Sequence, residues 1–142
     1  MSRIDFYRLS AGDPLQAACL VTGKAYRAGY RVRLFAADES RLAELDRRLW
    51  TFRQNAFVPH AVRERRDPDF PEPVVLAGDC ADPEGAAVLV CASAPPEDCL
   101  DRYERVADFV PADPEGRSAA RDRYARYRDA GHDLHVHDLQ AN

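Results

Sequence analysis

Arg117, Arg121, Tyr124 and Arg128 stand at i, i+4, i+7 and i+11 in the stretch VADFVPADPEGRSAARDRYARYRDAGHDL, and at about 100° per residue they share one helical face. The chemistry open to such a set is recognition rather than turnover. Guanidinium forks pair with carboxylates, and a phenol ring between them offers an apolar floor. A short acidic peptide that ends in an aromatic residue with a free carboxylate satisfies both. On charge pattern alone, a solvated face with Asp122 and Arg126 paired at i, i+4 is the plainer reading, and both stand at this stage. A second binding feature lies in LWTFRQNAFVPH. Leu42, Leu45, Leu49 and Phe52 make the apolar stripe of a helix, and Trp50 lies about 100° from Leu49. A Trp off the stripe is an interface anchor, or, with Phe57, ordinary cover for the sheet edge.

Catalytic sets do not assemble. A nucleotide-binding turn after the first strand needs glycines that let backbone N–H groups approach phosphates; SAGDPLQ and LAGDCADPEG match neither GxGxxG nor GxxxxGK[ST]. HDLHVHD brings His132, His135 and His137 together, but His132 breaks the alternation and no Cys or acid completes a familiar ligand set. His60 has no Ser or Cys at a nucleophile turn. Asp5, Asp38 and Asp79 near strand ends read equally as turn and cap residues. No catalytic residue, cofactor or metal is therefore expected. Cys19, Cys80, Cys91 and Cys99 form no CxxC pair, and a chain of this size needs no disulfide, so all four are expected reduced and mostly buried.

A length of 142 residues with 46% hydrophobic and 31% charged side chains fits one domain, 1–142, with a real core. The net charge of −4 disfavours whole-molecule attraction to nucleic acid or an anionic membrane, so an anion site must be local. MSRIDFYRL carries neither an apolar span nor a cleavage pattern, which makes the cytoplasm the default compartment.

The elements that must position these residues follow from periodicity. Strands are expected at 4–9, 30–38, two apolar runs either side of DPEG (82–85), and VADFV (106–110) as the last of them. Helices are expected at 15–28, 39–52, briefly at 97–105, and from DPEGRS to about Tyr127, with Gly29 and Gly131 as stops. Arg31 and Arg33 alternate against Val32 and Leu34. VRERRDPDFPEP, 62–73, reads as a surface loop, and about 132–142 as a flexible tail. The expected fold is a single-domain α/β sandwich, a mainly parallel sheet between helices.

FYRL near the start, RVRLFAADE, LDRRLW followed by FVPH, then ADFVP and RDRYARYRDAGHDL together resemble the chi subunit family of bacterial DNA polymerase III. The resemblance runs almost the whole chain. It implies a Rossmann-like fold without a nucleotide site and an accessory, non-catalytic role at the clamp loader. It further implies two protein partners: the psi subunit, and the acidic tail of single-stranded-DNA-binding protein, which ends in a Pro-Phe carboxylate. By matching position, Arg121 would take the terminal carboxylate, Tyr124 and Val110 would flank the Phe, Gly131 would border the pocket, and Arg117 and Arg128 would attract the acidic run. Ala125 stands where some members have Lys, and Arg126 offers that charge one position on. Trp50 and Phe57 match the pair linked to psi binding and to an alternative helicase partner. A direct nucleic-acid binder and a small enzyme near His60 are the other readings.

Overall fold

In the computed structural model of the chain, which describes residues 2–11, 13–51, 58–65 and 72–139, strand β1 (Arg3–Leu9) leads to helix α1 (Pro14–Arg27), then β2 (Val32–Phe35) and α2 (Glu39–Thr51). Next come β3 (His60–Val62), a 3-10 turn at Arg63–Arg65, β4 (Val74–Ala77), β5 (Val88–Cys91) and a 3-10 segment at Glu97–Arg102. The described chain closes with β6 (Arg105–Val110), α3 (Pro114–Asp129) and β7 (Asp133–Leu139). The seven strands lie in the order β3-β4-β2-β5-β6-β1-β7, and every pairing is parallel. Parallel neighbours need crossovers, and the helices that make them cover both faces.

Alternate strand residues therefore enter two cores. Leu9, Val32, Leu34, Val74, Leu76, Val88, Val90 and Phe109 pack with Ala17, Leu20, Leu42, Leu45 and Leu49 beneath α1 and α2. Ile4, Phe6, Phe35, Leu89 and Val106 pack on the other side with Leu100, Tyr103 and Tyr127. The stripe expected on α2 is buried at Leu42, Leu45 and Leu49; Phe52 lies outside the described residues, as does the middle of the charged 62–73 stretch, 66–71.

The structure corrects four expectations. Arg33 does not alternate outward: on a strand covered on both sides it is 1% exposed, with Nη2 2.7 Å from Glu84 Oε1. His60–Val62 is an added edge strand, too short to show a period. The segment read as a tail from 132 is strand β7, registered on β1 from Arg3↔Asp133 to Leu9↔Leu139. VADFV is thus not the last strand. Finally, Cys80 and Cys99 are joined in a disulfide, since the turn after β4 meets the 3-10 segment with Cα atoms 5.9 Å apart; spacing of 19 in sequence gave no sign of it. Cys19 and Cys91 are free and buried, and burial pushes the Cys19 thiol up to about 12.

Both long crossovers end in the same device. Gly29 and Gly131 sit at φ 95° and 90°, a region that costs other residues a Cβ clash. Tyr30 N–H donates to Ala25 C=O and Gly29 N–H to Tyr26 C=O; His132 and Gly131 repeat the pattern onto Tyr127 and Arg128. These are six-to-one and five-to-two bonds that satisfy the last carbonyls of α1 and α3 and turn the chain into the next strand.

Candidate functional site

Helix α3 starts at Asp113, whose carboxylate accepts from the Gly116 N–H at 2.7 Å, with Pro114 in the first turn. Ala120 and Tyr127 are each 1% exposed and fix the face turned to the sheet. That leaves Arg117, Arg121 and Tyr124 on the flank toward β1 and β7. They line a cleft of about 230 Å³ together with Phe6, Arg8, Val110, Ala120 and Val136. Its apolar part is built by register and aromatic contact. Phe6 pairs with Val136 across β1 and β7, and the Tyr124 ring meets Phe6 edge to face at 5.4 Å. Val136 is, with Trp50, one of two large apolar side chains left exposed among the described residues, at 47%.

The cations differ in what they are free to do. Arg117 donates through Nε to Ala112 C=O and through Nη2 to Leu9 C=O, so it braces the strand ends and has part of its fork already engaged. Arg121 is exposed and makes no hydrogen bond or ion pair with another described residue. Arg8 forms an exposed fork with Asp138, Nε to Oδ1 at 2.8 Å and Nη2 to Oδ2 at 3.2 Å. Arg128 lies outside the cleft lining, 3.5 Å from Asp129, and Gly131 serves as the turn between α3 and β7 rather than as a lining residue. Arg126 pairs with Glu97, not with Asp122. Phe6, Arg8 and Val136 were missed as site residues although IDFYRL places Phe6 and Arg8 on one face of a strand; the missing information was β7.

Trp50 is 57% exposed at the far end of the sheet. Its ring lies 4.5 Å from the ring of buried His60. His60 Nδ1 is 2.6 Å from Val58 C=O, and Nε2 is 3.2 Å from Asp46 C=O and from Asp46 Oδ1. His60 thus supports an aromatic surface instead of serving as a free base. Phe57 lies outside the described residues.

A larger cleft, about 410 Å³, opens at the carboxyl ends of β5 and β6, where ligands sit in many open α/β sheets. Its charged groups are committed. Asp108 and Arg123 form a buried fork at 2.9 and 3.1 Å, Arg41 donates to Ala92 C=O, and Asp13 pairs with Arg48 at 2.6 Å. Asp13 and Asp113 carboxylates also hold the helix-start N–H groups that a phosphate would use. The smaller cleft is therefore the stronger candidate, because it alone of the two carries a guanidinium with no partner among the described residues.

The remaining candidates disperse. His135 Nε2 meets Asp133 at 3.0 Å and His137 Nε2 meets Asp5 at 2.8 Å, while His132 Nδ1 accepts from the Ser2 N–H. Asp38 caps α2 by accepting from the Arg41 N–H at 2.6 Å. Among the described residues no helix is long and apolar enough to cross a membrane.

Fold and site together define a Rossmann-like parallel α/β domain with a surface cleft in which an exposed guanidinium stands beside aromatic and aliphatic side chains. Residues 1–135 match the family described as DNA polymerase III chi subunit, HolC, and the chain belongs to that family. It is 39% identical to the DNA polymerase III subunit chi of Pseudomonas aeruginosa, covering 98% of both chains. Identity to the Escherichia coli subunit chi is 30%, over 85% of this chain and 82% of that one. A solved structure of T4 UvsW superposes with a TM-score of 0.70 at 9% identity. That match covers 99% of this chain and 42% of the other, and shows the fold alone.

Proposed function

We propose that the chain is a non-catalytic adaptor subunit of the DNA polymerase III assembly. In this reading the cleft between α3 and the β1–β7 pair takes the acidic C-terminal tail of single-stranded-DNA-binding protein, and the Trp50 surface takes the psi subunit. The observation that carries it is Arg121: an exposed guanidinium with no partner among the described residues, on the cleft lined by Phe6, Val110, Tyr124 and Val136. A terminal carboxylate fits the fork, and the preceding ring fits an apolar floor where aromatic edges and faces are already arranged. The net charge of −4 makes the attraction local, so affinity depends on salt through the cleft's own cations.

The test is binding of a fluorescent acidic peptide ending in Pro-Phe, against the same peptide without the Phe, at two salt concentrations. Saturable, salt-sensitive binding that needs the Phe supports the adaptor reading. A folded sample that binds neither peptide returns Arg117, Arg121 and Arg128 to a solvated face.

A further inference from the structure

We propose that Arg8 is a further ligand-binding residue of this cleft, assigned to an acidic side chain upstream of the ligand's terminal carboxylate, and that Asp138 is the group this side chain displaces. The inference rests on the peptide-binding reading above. Register sets the geometry. Arg8 on β1 lies opposite Val110 of β6 on one side and Asp138 of β7 on the other, and it lines the cleft with Arg117 and Arg121.

The three guanidiniums then divide the work by what already occupies them. Arg117 is braced by two backbone carbonyls. Arg121 is open and suits the terminal carboxylate, beside the floor of Tyr124 and Phe6. Arg8 already holds a carboxylate in fork geometry, that of Asp138, so its donors are arranged for one. The pair is exposed, 52% and 73%, and such pairs are weak and easily exchanged. An Asp of the ligand can replace Asp138 with one charge-assisted pair traded for another, while the Asp138 carboxylate returns to water. Asp138 also repels an anionic ligand from the mouth of the cleft, so its charge opposes binding even as it orients Arg8. The site therefore selects an acidic residue before the terminal aromatic, and Arg8 and Asp138 act on affinity with opposite signs.

The full chain and two fluorescent peptides test this: an Asp-rich peptide ending in Pro-Phe, and the same peptide with each Asp changed to Asn. With the Asp peptide at low salt, Arg8→Ala should weaken binding about two- to fivefold and Asp138→Asn should tighten it about two- to fivefold, the range of an exposed ion pair. The Arg8→Ala effect should disappear with the Asn peptide and the Asp138→Asn effect should shrink to the repulsion of the terminal carboxylate alone, and thermal melting should be unchanged in both variants. Binding by the unaltered chain that Arg121→Ala abolishes, but that Arg8→Ala and Asp138→Asn leave untouched, overturns the role of Arg8 and spares the adaptor reading. Weaker binding in Asp138→Asn overturns the exchange, because Asp138 would then be needed to hold the site. No binding by the unaltered chain removes the adaptor reading and this inference with it.

Discussion

The Tyr124 ring of α3 meets the Phe6 ring of β1 edge to face, with centroids 5.4 Å apart and planes at 62°. Phe6 also packs at 5.8 Å against Tyr127, which anchors the same helix to the sheet. One strand residue therefore ties the partly buried ring of the cleft to the fully buried ring beneath it. A ligand that engages Tyr124 finds a floor fixed by the core, which lowers the ordering cost of binding.

Arg121 is the residue whose removal should be felt in binding and nowhere else. Arg121→Ala should weaken binding of the Phe-terminated peptide by about 1.5 to 3 kcal/mol, the range for hydrogen bonds to a charged group. Its melting temperature should match the unaltered chain, since the side chain is exposed and has no partner among the described residues. Arg121→Lys should recover the charge but not the fork, and so only part of the affinity. Equal affinity in titrations of Arg121→Ala would remove it from the site.

Trp50→Ala should impair capture of the psi subunit while leaving the peptide cleft as it is, because the two surfaces lie at opposite ends of the sheet. The ring is 57% exposed, so truncation should cost little stability; a handful of such aromatics commonly dominate an interface. Pull-down of psi and peptide titration on the same preparation separate the outcomes. Loss of both activities with a lowered melting temperature would mean that the contact with His60 is structural.

Gly131→Ala should destabilise the fold by roughly 1 to 2 kcal/mol, the cost of a Cβ in the left-handed region. Gly131 is at φ 90° and joins α3 to β7, which carry Tyr124 and Val136 on opposite sides of the cleft. Peptide affinity at low temperature, where the chain stays folded, should fall less than stability does. Chemical denaturation alongside titration distinguishes this positioning role from direct contact.

Much of this was legible from the residues. Ala120 and Tyr127 fix which face of α3 is buried, and the spacing of Arg117, Arg121 and Tyr124 then places them side by side. The family resemblance supplied Val110. The other half of the cleft was hidden because β7 is an edge strand of alternating, mixed polarity: LHVHD reads as an extended tail until β1 gives it a register. Arg33 was misplaced for a related reason, since a four-residue strand buried on both faces has no polar side to reveal. The Cys80–Cys99 pairing depends on where a turn and a 3-10 segment meet, which no local pattern encodes.

Arg123→Ala should destabilise the chain by roughly 3 to 5 kcal/mol, as expected when one partner of a buried ion pair is removed. Asp108 and Arg123 side chains are 3% and 12% exposed, and burial pushes the Asp108 carboxyl up despite its partner. Replacing both, with Asp108→Val and Arg123→Met, should recover most of the loss, because the unpaired charge is gone. Urea unfolding of the single and double variants gives the comparison. A double variant as unstable as the single one would show that the fork's hydrogen bonds, and not the stranded charge, hold this end of β6.

Asp5 should contribute to the acid sensitivity of the fold. Burial raises its carboxyl, but hydrogen bonds from His137, Arg3 and Arg105 outweigh that, so its value lies below the ordinary one. For a depressed acid the unfolded chain takes up the proton first, and the stabilisation is complete above the unfolded value of about 3.9 and lost as pH falls through the lower folded value. Melting temperature should therefore be insensitive to this group from neutral pH to about 5, then drop steadily below about pH 4. Asp5→Asn should be less stable than the unaltered chain at neutral pH, with the gap closing in acid. Asp13, Asp38 and Glu44 are also depressed, Glu44 to about 2, but they sit at the surface and should keep a salt-sensitive remainder in the variant. A gap that stays constant down to about pH 3 would mean that Asn replaces the packing of Asp5 poorly and that the charge network with His137, Arg3 and Arg105 contributes nothing to acid stability.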